Sequence, residues 1–265
     1  MYQQPSSPQS IGGVLDDGIR LCRVAFGRCW LLAIIPGLVL VGYELAYPTR
    51  IEAALTHAGA LAALLHSGHL MLMDVVAGLL GLICQGAVVI REIAISRGEE
   101  SCTFGRAFAK SLQRLPGMVL ATVLFSLIVV AGFVALIVPG IWLWGRLQLW
   151  TVALFAEDAS ATAALASSWH LTRGRWWRAT GIFSVAVIIL IVLSLVFPFI
   201  GGLLAALSHA SGAGRAVVVS VFSLASRAIY YPLGAAIWLA MYHDFKLRRE
   251  GGDLASRVGA LSSAG

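Results

Sequence analysis

Residues 115–156 read LPGMVLATVLFSLIVVAGFVALIVPGIWLWGRLQLWTVALFA. From Pro116 to Ala156 there are 41 residues and one charge, Arg146. As one straight helix they would extend about 60 Å at 1.5 Å per residue, twice the ~30 Å hydrocarbon core of a bilayer. The stretch has to fold back. Val138-Pro139-Gly140 is the place the sequence offers, because proline lacks the donor that continues a helix and glycine permits a turn. A re-entrant loop at the same point is the rival reading.

The rest of the chain has the same character. Of 265 residues, 59% are hydrophobic and 12% charged, against about 25% charged in a soluble globular domain. Ala179–Leu207 is a second uncharged run, of 29 residues. Runs beyond about 18 apolar residues are transmembrane helices, and they do not alternate as barrel strands do. The expected fold is all-α, a polytopic transmembrane bundle of about six spans: Cys29 to Tyr47, Leu70 to Ile90, Leu115 to Ile137, Ile141 to Ala156, Ala179 to Phe199 and Ala216 to Tyr242. A cytoplasmic N-terminal segment (1–28) precedes the membrane domain (29–245), and a cytoplasmic tail (246–265) follows it. No cleavable signal peptide is expected, since the first apolar stretch comes after 28 mostly polar residues and no small-residue cleavage site follows it.

Orientation follows from lysine and arginine. Segments on one side of the six spans carry fifteen of them, among them Arg20, Arg97, Arg173 and Arg249, and the other side only Arg50 and Arg215. Both termini are therefore expected in the cytoplasm. The net charge of +6 expresses this asymmetry and is no sign of nucleic acid. Residues 170–178, HLTRGRWWR, fit the same scheme. They precede the fifth span on the positive side, where arginines meet anionic headgroups and tryptophans anchor a helix start.

Three amphipathic stretches precede the three hairpins. Leu15, Ile19, Cys22 and Phe26 keep helical spacing before the first. Phe104, Phe108 and Leu112 form a stripe before the third span, with Arg106, Lys110 and Arg114 on another face. Ala161, Leu165 and Trp169 line up before the fifth, with Asp158 or Ser160 placed to cap that helix. Three repeats of in-plane helix plus hairpin are one reading; the other is that connectors beside membranes are often amphipathic. Arg106, Lys110, Arg114, Arg173, Arg175, Trp176, Trp177 and Arg178 are the expected headgroup contacts, and anionic membrane lipids the expected partner, with a homo-oligomer or a membrane-protein partner also open.

Charges inside spans are costly and mark function by default. Glu44, Asp74 and Arg146 are expected in the outer third of the bilayer and Arg227 near its midplane. An ion pair of Arg146 with Asp74 or Glu44 would lock helices; a polar pocket open to the outside would hold an anion on Arg146 and Arg227. Pro36-Gly37, Pro198, Gly201-Gly202 and Tyr231-Pro232 interrupt spans, as transport sites and ordinary membrane helices both do. Gly78, Gly81 and Gly86, with Ala77, suit close helix packing.

Chemistry is not expected. There is no phosphate loop, dinucleotide fingerprint, nucleophile elbow or zinc-protease motif. His57, His66 and His69 give no full ligand set, and Cys22, Cys29, Cys84 and Cys102 lack metal spacing and read as free thiols. No catalytic residue, metal or cofactor follows.

IVPGIWLWGRLQLW (137–150), ALASSWHLTRGRWWRATGI (164–182), WLAMYHDFKLRREGGDL (238–254) and IGGVLDDGIRLCRVAF (11–26) resemble, in the same order, the bacterial family of YciC-type membrane proteins and the membrane domain of some glycerophosphoryl diester phosphodiesterases. The resemblance implies a six-span helical protein of the cytoplasmic membrane and no mechanism. The phosphodiesterase chemistry of fused members sits in a separate barrel domain, for which this chain has no room. The function expected is a structural, regulatory or envelope role through lipid and protein contacts; the alternative is a transporter or lipid-handling protein with a site near Arg146 and Arg227.

Overall fold

The structure, a computed structural model, describes residues 2–46, 60–99, 101–209 and 212–263. Among them the regular structure is helical throughout: α1 (Ile11–Ala46), α2 (Ala60–Ser96), α3 (Phe104–Gln113), α4 (Leu115–Ala135), α5 (Ile137–Leu147), α6 (Trp150–Ala156), α7 (Ala161–Thr172), α8 (Trp176–Leu207) and α9 (Gly212–Ser263). Five stretches are long and apolar enough to cross a membrane: Ile11–Val39, Leu72–Ser96, Leu115–Ala135, Trp176–Leu207 and Gly214–Arg249.

The expected fourth span is not among these five. It is divided into α5, about 16 Å long at 1.5 Å per residue, and the two-turn α6. The reversal after α4 also lies earlier than Val138-Pro139-Gly140. Leu136 makes it in an extended conformation, φ −168° and ψ 154°. Pro139 falls in the first turn of α5, where a missing N–H breaks no helical bond. Gly140 serves packing instead, because a Cβ at Gly132 would stand 3.0 Å from its Cα. The two arms of the hairpin touch backbone to backbone there.

The break between α5 and α6 has an identifiable cause. Ser168 of α7 donates its hydroxyl to the Arg146 carbonyl (2.8 Å) and accepts from the Leu149 N–H (3.1 Å). Thr172 also donates to the Arg146 carbonyl (3.3 Å). Side-chain hydroxyls thus enter the hydrogen-bond ladder of the membrane helix and divide it. Ser160, rather than Asp158, caps α7 by accepting from the Ala163 N–H.

α1 and α9 run through the boundaries expected at residues 28 and 246 without a break. The stripe of α1 that packs inward is Val14, Leu21, Cys22, Ala25, Cys29 and Leu32, while Ile19 and Phe26 stay exposed. α1 packs chiefly on α9 and α2, and α9 also on α8. The approach is close: a Cβ on Gly18 would lie 2.9 Å from the Cα of Ile237. Gly86 likewise admits Ser111, Phe155 and Met118 against α2, whereas Gly78 and Gly81 have open space beside them.

The densest core is at the end of the bundle where the basic residues gather. Leu21, Leu154, Ile182, Met241, Tyr242 and Phe245 are all under 2% exposed there. Gln148, just before α6, donates toward the Met241 sulfur of α9 (3.9 Å), and Ala156 at the end of α6 lines a cavity together with Leu239 and His243 of α9.

Candidate functional site

The basic end is held by polar contacts between distant parts of the chain. Asp244 is 3% exposed. Its carboxylate pairs with Arg178 (2.9 Å) and Arg248 (3.0 Å) and accepts from the backbone N–H of Gln9 (2.8 Å). The Gln9 carbonyl in turn accepts from Arg178 and Arg248. Tyr2 donates to Asp17 (2.7 Å); burial, that bond and the carboxylate charge all push its hydroxyl above the usual tyrosine range. The N-terminal segment is thereby strapped over the ends of α1, α8 and α9.

This changes the reading of HLTRGRWWR. α7 ends at Thr172, and Gly174 takes a left-handed conformation, φ +78°, that a side chain would strain. Arg178 is committed to Asp244, and Arg175 donates to the carbonyl of Arg248. Trp176 turns inward beside Gly145 and Thr180, its indole N–H buried without a partner among the described residues. Trp177 is 81% exposed. His170, Arg173 and Arg175 are exposed as well; of these, Arg173 and Trp177 face outward beside the start of α8.

α3 has three faces. Thr103 caps it. Ala107 and Ser111 are buried, and the Ser111 hydroxyl donates to the Ile83 carbonyl of α2 (2.7 Å). Arg106 and Lys110 lie outward. Phe104 and Leu112, of the expected apolar stripe, are also exposed, at 38% and 48%. Arg114 pairs with Asp158.

The four intramembrane candidates do not converge. Arg146 stands beside α7, where Ser168 and Thr172 donate to its carbonyl. Its guanidinium carbon lies 4.7 Å from the ring centre of Trp142 and 4.4 Å from that of Trp169. The two indoles meet edge to face at 5.2 Å and enclose the cation between α5 and α7, a stabilising arrangement where water is scarce. Arg227 lies about 21 Å along α9 from Met241, its side chain across Gly37 at the Pro36 bend of α1. Asp74 is exposed, about 25 Å along α2 from Arg91. The side chain of Glu44 and those of the three outer histidines lie outside the described residues.

Two acids that sequence reading passed over are buried at this end. Asp244 had a signal, its i, i+4 spacing to Arg248. Glu92 is fully buried, and neither carboxyl oxygen has a hydrogen-bond partner among the described residues. It follows Arg91, which donates to the Arg28 carbonyl, and the pair reads in sequence as ordinary surface charge.

No curated protein and no solved structure matches the chain. Residues 65–245 match the family described as a domain of unknown function, DUF7847. The match covers more than half of the chain and runs from α2 through most of α9, so the protein belongs to that family.

Proposed function

We propose that the chain is a non-enzymatic integral protein of the bacterial cytoplasmic membrane, with both termini in the cytoplasm, that acts through contacts with anionic lipid headgroups and with other membrane proteins in a structural or regulatory role. The observation that carries this is the layout of α3. Its small face is used up on α2, and it turns both an apolar edge (Phe104, Leu112) and a cationic edge (Arg106, Lys110) away from the protein. A helix so arranged suits the boundary between acyl chains and headgroups. Trp177 and Arg173 repeat the combination at the start of α8. The likeness to YciC-type proteins points the same way.

A translocation site at Arg146 and Arg227 receives less support. Arg146 is closed in by indoles, and the two arginines lie apart. The cavity at the Pro36 bend, between Pro36, Gln85 and Tyr231, holds about 10 Å³, no more than one water molecule requires.

Native mass spectrometry of protein released from mixed phosphatidylglycerol and phosphatidylcholine membranes tests the reading. Retained phosphatidylglycerol should exceed retained phosphatidylcholine, and the excess should fall severalfold in an Arg106→Gln/Lys110→Gln/Arg173→Gln variant, at roughly 1 kcal/mol per surface cation. Equal retention of the two lipids, or an excess indifferent to the three substitutions, would refute it.

A further inference from the structure

Beside the strap, the basic end holds a cavity of about 330 Å³. Arg97 comes to it from the end of α2, His243 and Lys246 from α9, and Gln4 and Pro5 close it from the N-terminal segment. In the sequence Arg97 and Lys246 counted only among the positive-side charges, and nothing there joined them. Ile93 and Leu239 make an apolar floor.

The charge in this cavity is one-sided. Arg97 gives one N–H to the Ala156 carbonyl (3.3 Å) and is otherwise exposed. The Lys246 ammonium stands 5.9 Å from the Tyr242 ring centre and is also exposed. The nearby acid, Glu157, is not part of the lining; it accepts from Tyr242 (2.6 Å) and Ser167 (3.0 Å), bonds that leave its negative charge in place. Asp244 is taken up by Arg178 and Arg248. His243 adds a ring whose Nε2 is buried with no hydrogen-bond partner among the described residues. Two cations lining one hollow repel one another unless an anion joins them. A guanidinium matches phosphate oxygens in a fork, and a lysine adds a point charge.

We propose that this cavity binds a phosphomonoester group, its oxygens on Arg97 and Lys246 with a hydrogen bond from His243, and the carbon side of the ligand against Ile93 and Leu239. The group belongs either to a phosphorylated lipid headgroup or to a small soluble ester; the anchoring chemistry is the same. The site is separate from the outward face of α3 and does not depend on the function proposed for that face. Because Gln4 and Pro5 form one wall, the strap that Asp244 fixes is part of the site.

The full-length protein in phosphatidylcholine nanodiscs provides the test, with two probes: dioleoyl phosphatidic acid, followed by native mass spectrometry, and glycerol 3-phosphate, followed by calorimetry. Arg97→Gln/Lys246→Gln changes two exposed side chains, and an unchanged thermal transition confirms folding. This variant should weaken binding about tenfold or more, Lys246→Arg should retain it, and Arg106→Gln/Lys110→Gln should leave it intact. Binding of phosphatidic acid alone assigns a lipid source; binding of both probes assigns a soluble ester as well. Binding of neither probe, binding indifferent to the Arg97/Lys246 pair, or equal weakening by the α3 pair overturns the proposal. Phosphatidylglycerol enrichment unchanged in the α3 variant, with phosphate binding still lost in the Arg97/Lys246 variant, would count against the surface reading and leave this site standing.

Discussion

At the basic end of the bundle Leu21, Tyr242 and Phe245 have almost no exposure; at the opposite end Val134, Val138 and Phe199 are 82%, 73% and 72% exposed. The residues are equally apolar, and α4 and α8 pass from one region into the other. In water the open end would be an aggregation surface. In lipid it carries no such cost, because acyl chains solvate valine and phenylalanine as well as another helix does, and the hydrophobic effect supplies no force between helices. The contrast indicates where this chain keeps its specificity. The open half is a set of apolar rods, and the basic half is joined by charge pairs, inserted hydroxyls and close helix contacts.

The comparison can be broken at the ion-pair hub first. Asp244→Ala leaves Arg178 and Arg248 without their buried partner and frees Gln9, and should cost about 3 kcal/mol, read as a lower thermal transition in mild detergent together with new protease cleavage in the first ten residues. An unchanged transition would mean that the strap is not structural. Gly18→Leu comes next. It drives a side chain into the backbone of α9 and should cost about 1–3 kcal/mol in the same measurement. Ser168→Ala removes the hydroxyl that bridges Arg146 and Leu149, for a loss of about 1–2 kcal/mol; faster hydrogen exchange at the Leu149 amide would locate the effect. The smallest change is expected at the open end. Val134→Ala should move the transition by no more than about 0.5 kcal/mol, and a core-sized loss there would show that this end is packed against a second protein surface.

How far the sequence could be read follows the same division. Helical class, membrane character and five of the expected spans came from uncharged runs, which depend only on composition and length. The expected fourth span is not one continuous helix, because hydropathy does not register a hydroxyl on α7 placed to divide a helix in another segment. α1 shows a related limit. Its expected apolar stripe runs through Ile19 and Phe26, which are exposed, while the face meeting its neighbours uses small residues such as Gly18, Ala25 and Cys29. The site residues divide by whether a partner was nearby in the chain. Arg106 and Lys110 were legible because amphipathicity is local. The commitment of Arg178 to Asp244 was not, since 66 residues separate them. The enclosure of Arg146 was not legible either, since Trp169 reaches it from a different helix.

The contact between Gln9 and the last long helix also bears on how the protein is made. The Gln9 carbonyl meets Arg248 across 239 residues of sequence. A chain inserted from its beginning presents α1 to the membrane long before α9 has been synthesised, so the strap cannot close until translation is nearly complete. The wall that Gln4 and Pro5 supply to the phosphate cavity is consequently the last part to form. Only a fully inserted copy can display that cavity, and its occupancy would report that assembly has finished.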